Sequence, residues 1–413
     1  MGPQSRNLLF HRGNLRRFGC KDHRLQELYV GKKLLLVSFD AVGSDQLPIV
    51  RELPNFKRIF GNGSVFPDLK TVFISNTYPV HASIASGTVP GVHGIISNTM
   101  LQPENPRPWW NYDSRAFKAE SIWKKAARKG LKTAAVMWPV TAYAKEICWN
   151  IPEIMTRAGE SQIAANLRCG SKIPQLLSYV LHRKLLRGIE QPERDRFAAA
   201  AMRDGICSIH PDLMLMHLTA YDSLCHEFGR GSEQTMLALR EMDANLGMLA
   251  DAAGKDTAVI VFSDHAQLNV HTAVDPNRIL DMLGYLTYHD DGTASDCRAF
   301  FQNCDGSSFF FNQGLDAEQV ELVKDSVLAD TAVQRLLTDD EMAESGYRDL
   351  AVFGICAKEG YYFKAANVEK ATHGYPADYP GYGVFFAVSE PWQDIDSGSI
   401  LEVTKAAEKI LDI

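Results

Sequence analysis

The sequence predicts an α/β fold, a doubly wound sheet with helices on both faces and an inserted cap. Two observations carry this. Short Val/Leu/Ile-rich runs alternate with segments of helical periodicity, as in buried parallel strands joined by helices. Three of the runs also lead into aspartates: KLLLVSF into Asp40, LMLMHLT into Asp222 and His226, and TAVIVFS into Asp264 and His265. In one parallel sheet the carboxyl ends of such strands share an edge, where open α/β folds hold ligands.

The elements follow in order. Residues 1–30 read as a peripheral leader and 31–413 as a single domain, with cap-type insertions near 150–200 and 285–350. KLLLVSF is a strand. Leu53, Phe56, Ile59 and Phe60 mark a short helix, and SVFPDLKTVF holds one or two short strands. A helix starts near Thr77 and stops at Gly87 and Pro90. Residues 121–129 are helical, and LKTAAVMW is a strand ending at Pro139. Residues 194–208 continue as a helix into LMLMHLT. Met236, Leu239, Met242, Leu246 and Leu249 form one apolar helical face ahead of TAVIVFS. Further on, AFF and SFFFN read as strands, DAEQVELVKDSVL as a helix, and VFGICA with GYYF as a hairpin-like pair. GVFFAVS and a last helix close the chain.

Composition narrows the function. The net charge of −7 argues against a polyanion-binding surface, so no nucleic-acid polymer is expected as partner. A small phosphate substrate stays compatible, because metal ions invert local charge. The basic N-terminus lacks the apolar core of a secretory signal, and no run is long enough to span a membrane; a soluble, cytoplasmic protein is the expectation. The eight cysteines are scattered without a CxxC pair and read as reduced thiols. Cys297 and Cys304 are close in sequence but are not expected to pair.

The chemistry gathers around the aspartates. Asp222 and His226 are four residues apart, so on one helical turn both could bind one ion. Asp264 and His265 could both reach a metal from a strand exit. Thr77, in Asn76-Thr77-Tyr78-Pro79-Val80-His81, reads as a helix N-cap. It also reads as a nucleophile, its hydroxyl activated by a metal dication and the helix N-terminus; the two roles are compatible.

The segments SFDAVGSDQL, NTYPVHASIASGTVPGVHGIISN, AYDSLCHEFG, FSDHA and THGY follow one another in this order. In these five motifs, from about Lys33 to about Pro391, the chain resembles the nucleotide pyrophosphatase/phosphodiesterase family of the alkaline phosphatase superfamily. The resemblance implies an alkaline-phosphatase-like catalytic domain and a two-metal site. Asp40, Thr77, Asp264 and His265 match the positions that hold one ion; Asp222, His226 and His373 match those that hold the other. Mixed nitrogen and oxygen ligands favour zinc, with manganese also admissible. Thr77 would attack phosphorus and form a phospho-enzyme intermediate. Asn98 matches a family asparagine that contacts a phosphate oxygen, although it reads equally as a turn residue. The implied activity is hydrolysis of small phosphodiester or nucleotide substrates.

Two departures bear on substrate. The family commonly has Phe-Pro-Asn-His after the threonine, where this chain has Tyr78-Pro79-Val80-His81; Tyr78 could stack on a substrate group. The family usually has glycine after SDH, where this chain has Ala266-Gln267. From Thr71 to Pro106 there is no lysine or arginine, which favours a diester over a monoester dianion, unless Arg107 or Arg115 reaches the site. The alternatives are a phosphomonoesterase or phosphonate hydrolase of the same superfamily and, more distantly, a phosphomutase or a non-catalytic binding protein. His81, His93 and His217 read as packing or core histidines, His271 as a residue near the cleft without a role, and the basic run from His182 to Arg187 as a solvated helix face.

Overall fold

The computed structural model describes residues 32–413 except 106 and 189; the leader and Cys20 lie outside the described residues. Seven strands form the central sheet, in the order Ser64–Leu69, Val384–Val388, Thr257–Phe262, Lys33–Phe39, Leu213–Leu218, Thr133–Val136, Ile147–Ile151. The last five are mutually parallel, while Val384–Val388 runs antiparallel to both of its neighbours, so the sheet is mixed. The three aspartate-leading strands are adjacent, with Lys33–Phe39 between the other two. That adjacency brings their carboxyl ends to one edge.

Alternation along each strand builds a core on both faces. Leu34 and Leu36 pack with Val80, Ile84, Trp123 and Val403. Leu35 and Val37 face the other way, onto Phe56, Met202, Leu239 and Met242. The helix Glu233–Ala253 is capped by Ser232, whose side chain accepts from Thr235 N–H, and it stops at Gly254. Its buried Asp243 accepts from Phe56 N–H at 2.7 Å and Asn55 N–H at 3.1 Å. It thereby satisfies donors that the first turn of the helix Pro54–Phe60 leaves open.

A second, four-stranded antiparallel sheet runs Ala299–Cys304, Ser307–Asn312, Phe353–Ala357, Val333–Leu336. The hairpin-like pair expected from VFGICA and GYYF does not form. Gly360–Phe363 pairs in parallel with Leu268–Val274. Ala371–Thr372 pairs antiparallel with the start of that same strand, Thr372 opposite Leu268. This three-stranded sheet carries His373 back to the strand exit of His265.

The expected cap near 150–200 joins the main body at both ends. Ile147–Ile151 is an edge strand of the central sheet, and the helix Glu193–Ile209 buries Ala198, Met202 and Ile206 against it. Among the described cysteines, 169, 207, 225, 297, 304 and 356 are free. Cys148 is disulfide-bonded. This corrects the reading of all eight as reduced thiols, since scattered spacing does not reveal which thiols a fold juxtaposes. No described helix is long and apolar enough to cross a membrane.

Candidate metal centre

Asp40 ends its strand, and its N–H donates to Leu218 O at 3.0 Å. The next residue, Ala41, turns the chain at φ +62°, a conformation that L residues adopt at some cost. That turn aims Ala41 N–H at Asp264 Oδ1, 3.1 Å away. Asp264 and His265 leave the neighbouring strand fully buried. Asn76 is the N-cap and Thr77 the first residue of the helix Thr77–Ser86, one position from the N-cap role expected for the threonine. No side-chain capping bond forms there, which leaves the Thr77 hydroxyl available to the site.

His265 Nε2 lies 3.2 Å from Thr77 Oγ1, 3.3 Å from Asp264 Oδ2 and 3.5 Å from Asp40 Oδ1. The structure thus brings together the four residues of the first expected set. In the second set, Asp222 Oδ1 is 3.3 Å from His226 Nε2, and one ligand atom each from Asp222, His226 and His373 lie within 4.8 Å of one another. The sets adjoin, because Asp40, Asp222 and His265 meet the same criterion and the His265 and His373 rings are 4.3 Å apart.

The donor chemistry fits cations. His226 Nδ1–H donates to Ala371 O at 2.9 Å, and His265 Nδ1–H to Ala266 O at 3.2 Å. Both Nε2 atoms therefore face carboxylates, an arrangement that a proton on the ring or a cation between the groups makes attractive. Asp40 Oδ1 and Asp264 Oδ2 are buried without a hydrogen-bond partner, a costly state that a shared cation relieves. Burial, reinforced by Asp264 and Asp222, pushes the Asp40 carboxyl well up. Burial pushes Asp222 up too, but His226, His373 and His265 outweigh it and hold that carboxyl low.

Four residues beside the site were not legible as such. His217 is buried, with Nε2 2.9 Å from Asp40 Oδ2 and Nδ1 3.1 Å from Met137 O and 3.4 Å from Glu153 Oε2. It fixes one Asp40 oxygen and leaves the other facing His265; the only signal was its place as the one imidazole in an apolar run. Gln267 donates its amide to Asp222 Oδ1, and its own oxygen is buried and unpartnered. Arg194 donates to Thr219 and Ser223 at 2.8 and 3.4 Å. Glu369 backs His226 at 3.6 Å. Burial raises its carboxyl, but His226 and Lys364 bring it down to about 2.

Asn98 Oδ1 accepts from Tyr78 N–H at 2.9 Å, which holds the amide next to Thr77. Tyr78 is no open stacking platform. Its ring is wholly buried, 5.1 Å from Trp110, and its hydroxyl donates to Glu153 O at 3.4 Å; hydrophobic burial of the first helical turn draws it into the core. Arg115 does not supply the missing cation, being engaged by Asp113 and set over the Tyr143 ring. Arg107 is exposed.

The glycine after His373 has a steric reason. Gly374 has φ +81°, and a Cβ there would lie 2.1 Å from Cys304 O and 2.9 Å from Asn76 Oδ1. The loop bearing His373 is thus seated on the N-cap of the Thr77 helix. Gly374→Ala is expected to cost about 2–4 kcal/mol of stability. Gly381→Ala, at φ +72° with nothing within 4 Å, should cost only about 1 kcal/mol. Denaturant unfolding of the two variants checks the difference.

Fold and site together define an alkaline-phosphatase-like α/β protein with a buried histidine–carboxylate centre at the sheet edge. The chain belongs to the type I phosphodiesterase / nucleotide pyrophosphatase family, whose sequence pattern matches residues 34–376. Human bis(5'-adenosyl)-triphosphatase ENPP4 is 33% identical over 120 residues, 26% of this chain and 25% of that protein. Human ectonucleotide pyrophosphatase/phosphodiesterase family member 1 is 25% identical over 226 residues, 52% of this chain and 21% of that protein. The chain spans about a quarter of the length of these curated relatives. Murine ENPP5, solved as an inactive variant in complex with AMP, superposes with a TM-score of 0.65 at 19% identity, covering 92% of this chain and 95% of that one. Phosphonoacetate hydrolase from Sinorhizobium meliloti 1021, in complex with phosphonoacetate, does so with a TM-score of 0.65 at 17% identity, covering 92% and 96%. At these identities the two structures establish the fold.

Proposed function

We propose that this chain hydrolyses phosphodiester or pyrophosphate bonds of small nucleotide-type substrates, with Thr77 as nucleophile. The observation that carries the reading is the Thr77 hydroxyl at a helix N-terminus, 3.2 Å from His265 Nε2, beside buried carboxylate oxygens that have no hydrogen-bond partner. Asp40, Thr77, Asp264 and His265 would hold one divalent ion and Asp222, His226 and His373 the other, zinc being the best match to these donors. Such ions supply the positive charge that favours a deprotonated hydroxyl and neutralises the phosphoryl oxygens.

The chain's own groups do the rest. Thr77 Oγ forms the bond to phosphorus as the bond to the leaving oxygen breaks, and water then cleaves the threonine ester. Asn98, its oxygen fixed on Tyr78 N–H, directs its amide hydrogens at a phosphoryl oxygen. His217 and Gln267 hold Asp40 and Asp222 in place. AMP in the murine neighbour and the triphosphatase name of the human relative support a nucleotide substrate. The lack of lysine and arginine from Thr71 to Pro106 supports a transferred group with one ester retained.

A panel of three substrates tests this. The nitrophenyl ester of a nucleoside monophosphate should exceed nitrophenyl phosphate in kcat/KM by roughly a hundred-fold, with phosphonoacetate left intact. The opposite ranking, or cleavage of phosphonoacetate, assigns the chain to the monoesterase or phosphonate-hydrolase alternative.

A further inference from the structure

The helix Lys172–His182 is inside out. Its buried residues are Pro174, Gln175 and Ser178, and Gln175 spends its amide on Asn166 O at 2.7 Å. Its aliphatic residues face solvent. Ile173 is 53% exposed, Leu176 51%, Leu177 39%, Val180 65% and Leu181 56%. These five positions follow the i, i+3, i+4, i+7, i+8 spacing of a single helix face. Ile163 on the preceding helix Gln162–Cys169, 57% exposed, adds to the apolar surface. An apolar stripe of this kind on a folded domain marks an interaction surface.

Charge identifies what it fits. From Ser161 to Ile189 there is no aspartate or glutamate, but there are five cations: Arg168, Lys172, Arg183, Lys184 and Arg187. The chain as a whole carries −7, so this segment departs from the rest of the molecule in sign. Lys172, Arg183 and Lys184 are exposed and flank the stripe at both ends of the helix. Exposed Tyr179, at 43%, adds an amphipathic ring. An aliphatic face bordered by lysine, arginine and tyrosine matches helices that lie in the plane of a bilayer interface. Arg168 and Arg187 pair with Glu160 and Glu193, which leaves Lys172, Arg183 and Lys184 as the cations at the two ends of the stripe; a protein partner's apolar groove would not call for them, and an anionic headgroup layer does.

We propose that this face docks on an anionic phospholipid surface, with the apolar residues in the acyl boundary and the cations on the headgroups. The docked helix is joined to the metal centre through the edge strand Ile147–Ile151. Ser171 N–H donates to Asn150 O at 2.8 Å, and three residues further along Glu153 contacts Tyr78 and His217. Docking therefore sets the site at a fixed place relative to the membrane, independently of which substrate it cleaves.

The test is co-sedimentation of the full chain with vesicles of phosphatidylcholine alone or mixed with phosphatidylserine. The chain should bind the mixed vesicles, bind phosphatidylcholine far less, and dissociate as salt rises. Leu176→Glu with Val180→Glu should abolish binding. Arg183→Ala with Lys184→Ala should weaken it by about five-fold per charge. All four side chains are exposed, so both double variants should keep the unfolding temperature of the parent. The proposal is overturned if the parent ignores phosphatidylserine vesicles or if Leu176→Glu/Val180→Glu binds them as the parent does. It is equally overturned if that variant turns a dimer into a monomer while neither form binds lipid, because the face is then a self-association surface.

Discussion

Thr77→Ala is expected to lower kcat on a nucleotide diester by at least about a thousand-fold, with the bound metal content retained. Removing a nucleophile that acts as a unit with its surroundings costs far more than removing a substrate contact. Metal should be retained because three of the four groups proposed for the first position remain: Asp40, Asp264 and His265 still converge. The fold stays as well, since Asn76 rather than Thr77 is the N-cap and no capping bond is lost. Rates on the diester together with elemental analysis of the same sample check both halves. Full activity with metal bound refutes the nucleophile assignment; lost activity with lost metal would reduce Thr77 to a ligand.

Removal of divalent ions by a chelator is expected to abolish activity and to lower the unfolding temperature together. Asp40 and Asp264 are buried, with half-buried Asp222 beside them, and without cations the repulsion between these carboxylates and the desolvation of Asp40 Oδ1 and Asp264 Oδ2 are unrelieved. Ions present at about a thousand times their dissociation constant contribute about 4 kcal/mol to the folded state, roughly 5–10 °C in a chain of this size. Zinc should restore both properties and manganese activity in part, while magnesium should restore neither well, because it prefers all-oxygen donor sets. Differential scanning calorimetry of stripped and refilled protein, with rates on the same samples, reads this out.

Much of the candidate site was legible because its residues sit where local pattern is strongest. Asp40 and Asp264 end strands buried on both faces, and such strands show as unbroken apolar runs. Asp222 and His226 share a turn of the helix Ala220–Phe228, so four-residue spacing sufficed. The strand Ile147–Ile151 went unseen because Cys148 and Asn150 interrupt a five-residue run; its identity comes from pairing with Thr133–Val136. The pairing of Gly360–Phe363 with Leu268–Val274 links segments some ninety residues apart, and nothing local signals it. His217 read as core because it lies within a strand, and burial alone does not reveal that its ring reaches Asp40. The aliphatic face of Lys172–His182 had a clear helical period, but a period does not say which face the fold covers.

The central claim is that Thr77 becomes covalently attached to phosphorus during turnover. Acid-quenching the protein in mid-reaction with a nucleotide diester, digesting it and measuring peptide masses addresses this directly. The account predicts that the peptide carrying Thr77 gains the mass of one nucleoside monophosphoryl group, that the added group maps to Thr77, and that it disappears when substrate is exhausted. Turnover with an unmodified Thr77 peptide at every quench time, or with the adduct on another residue, contradicts it.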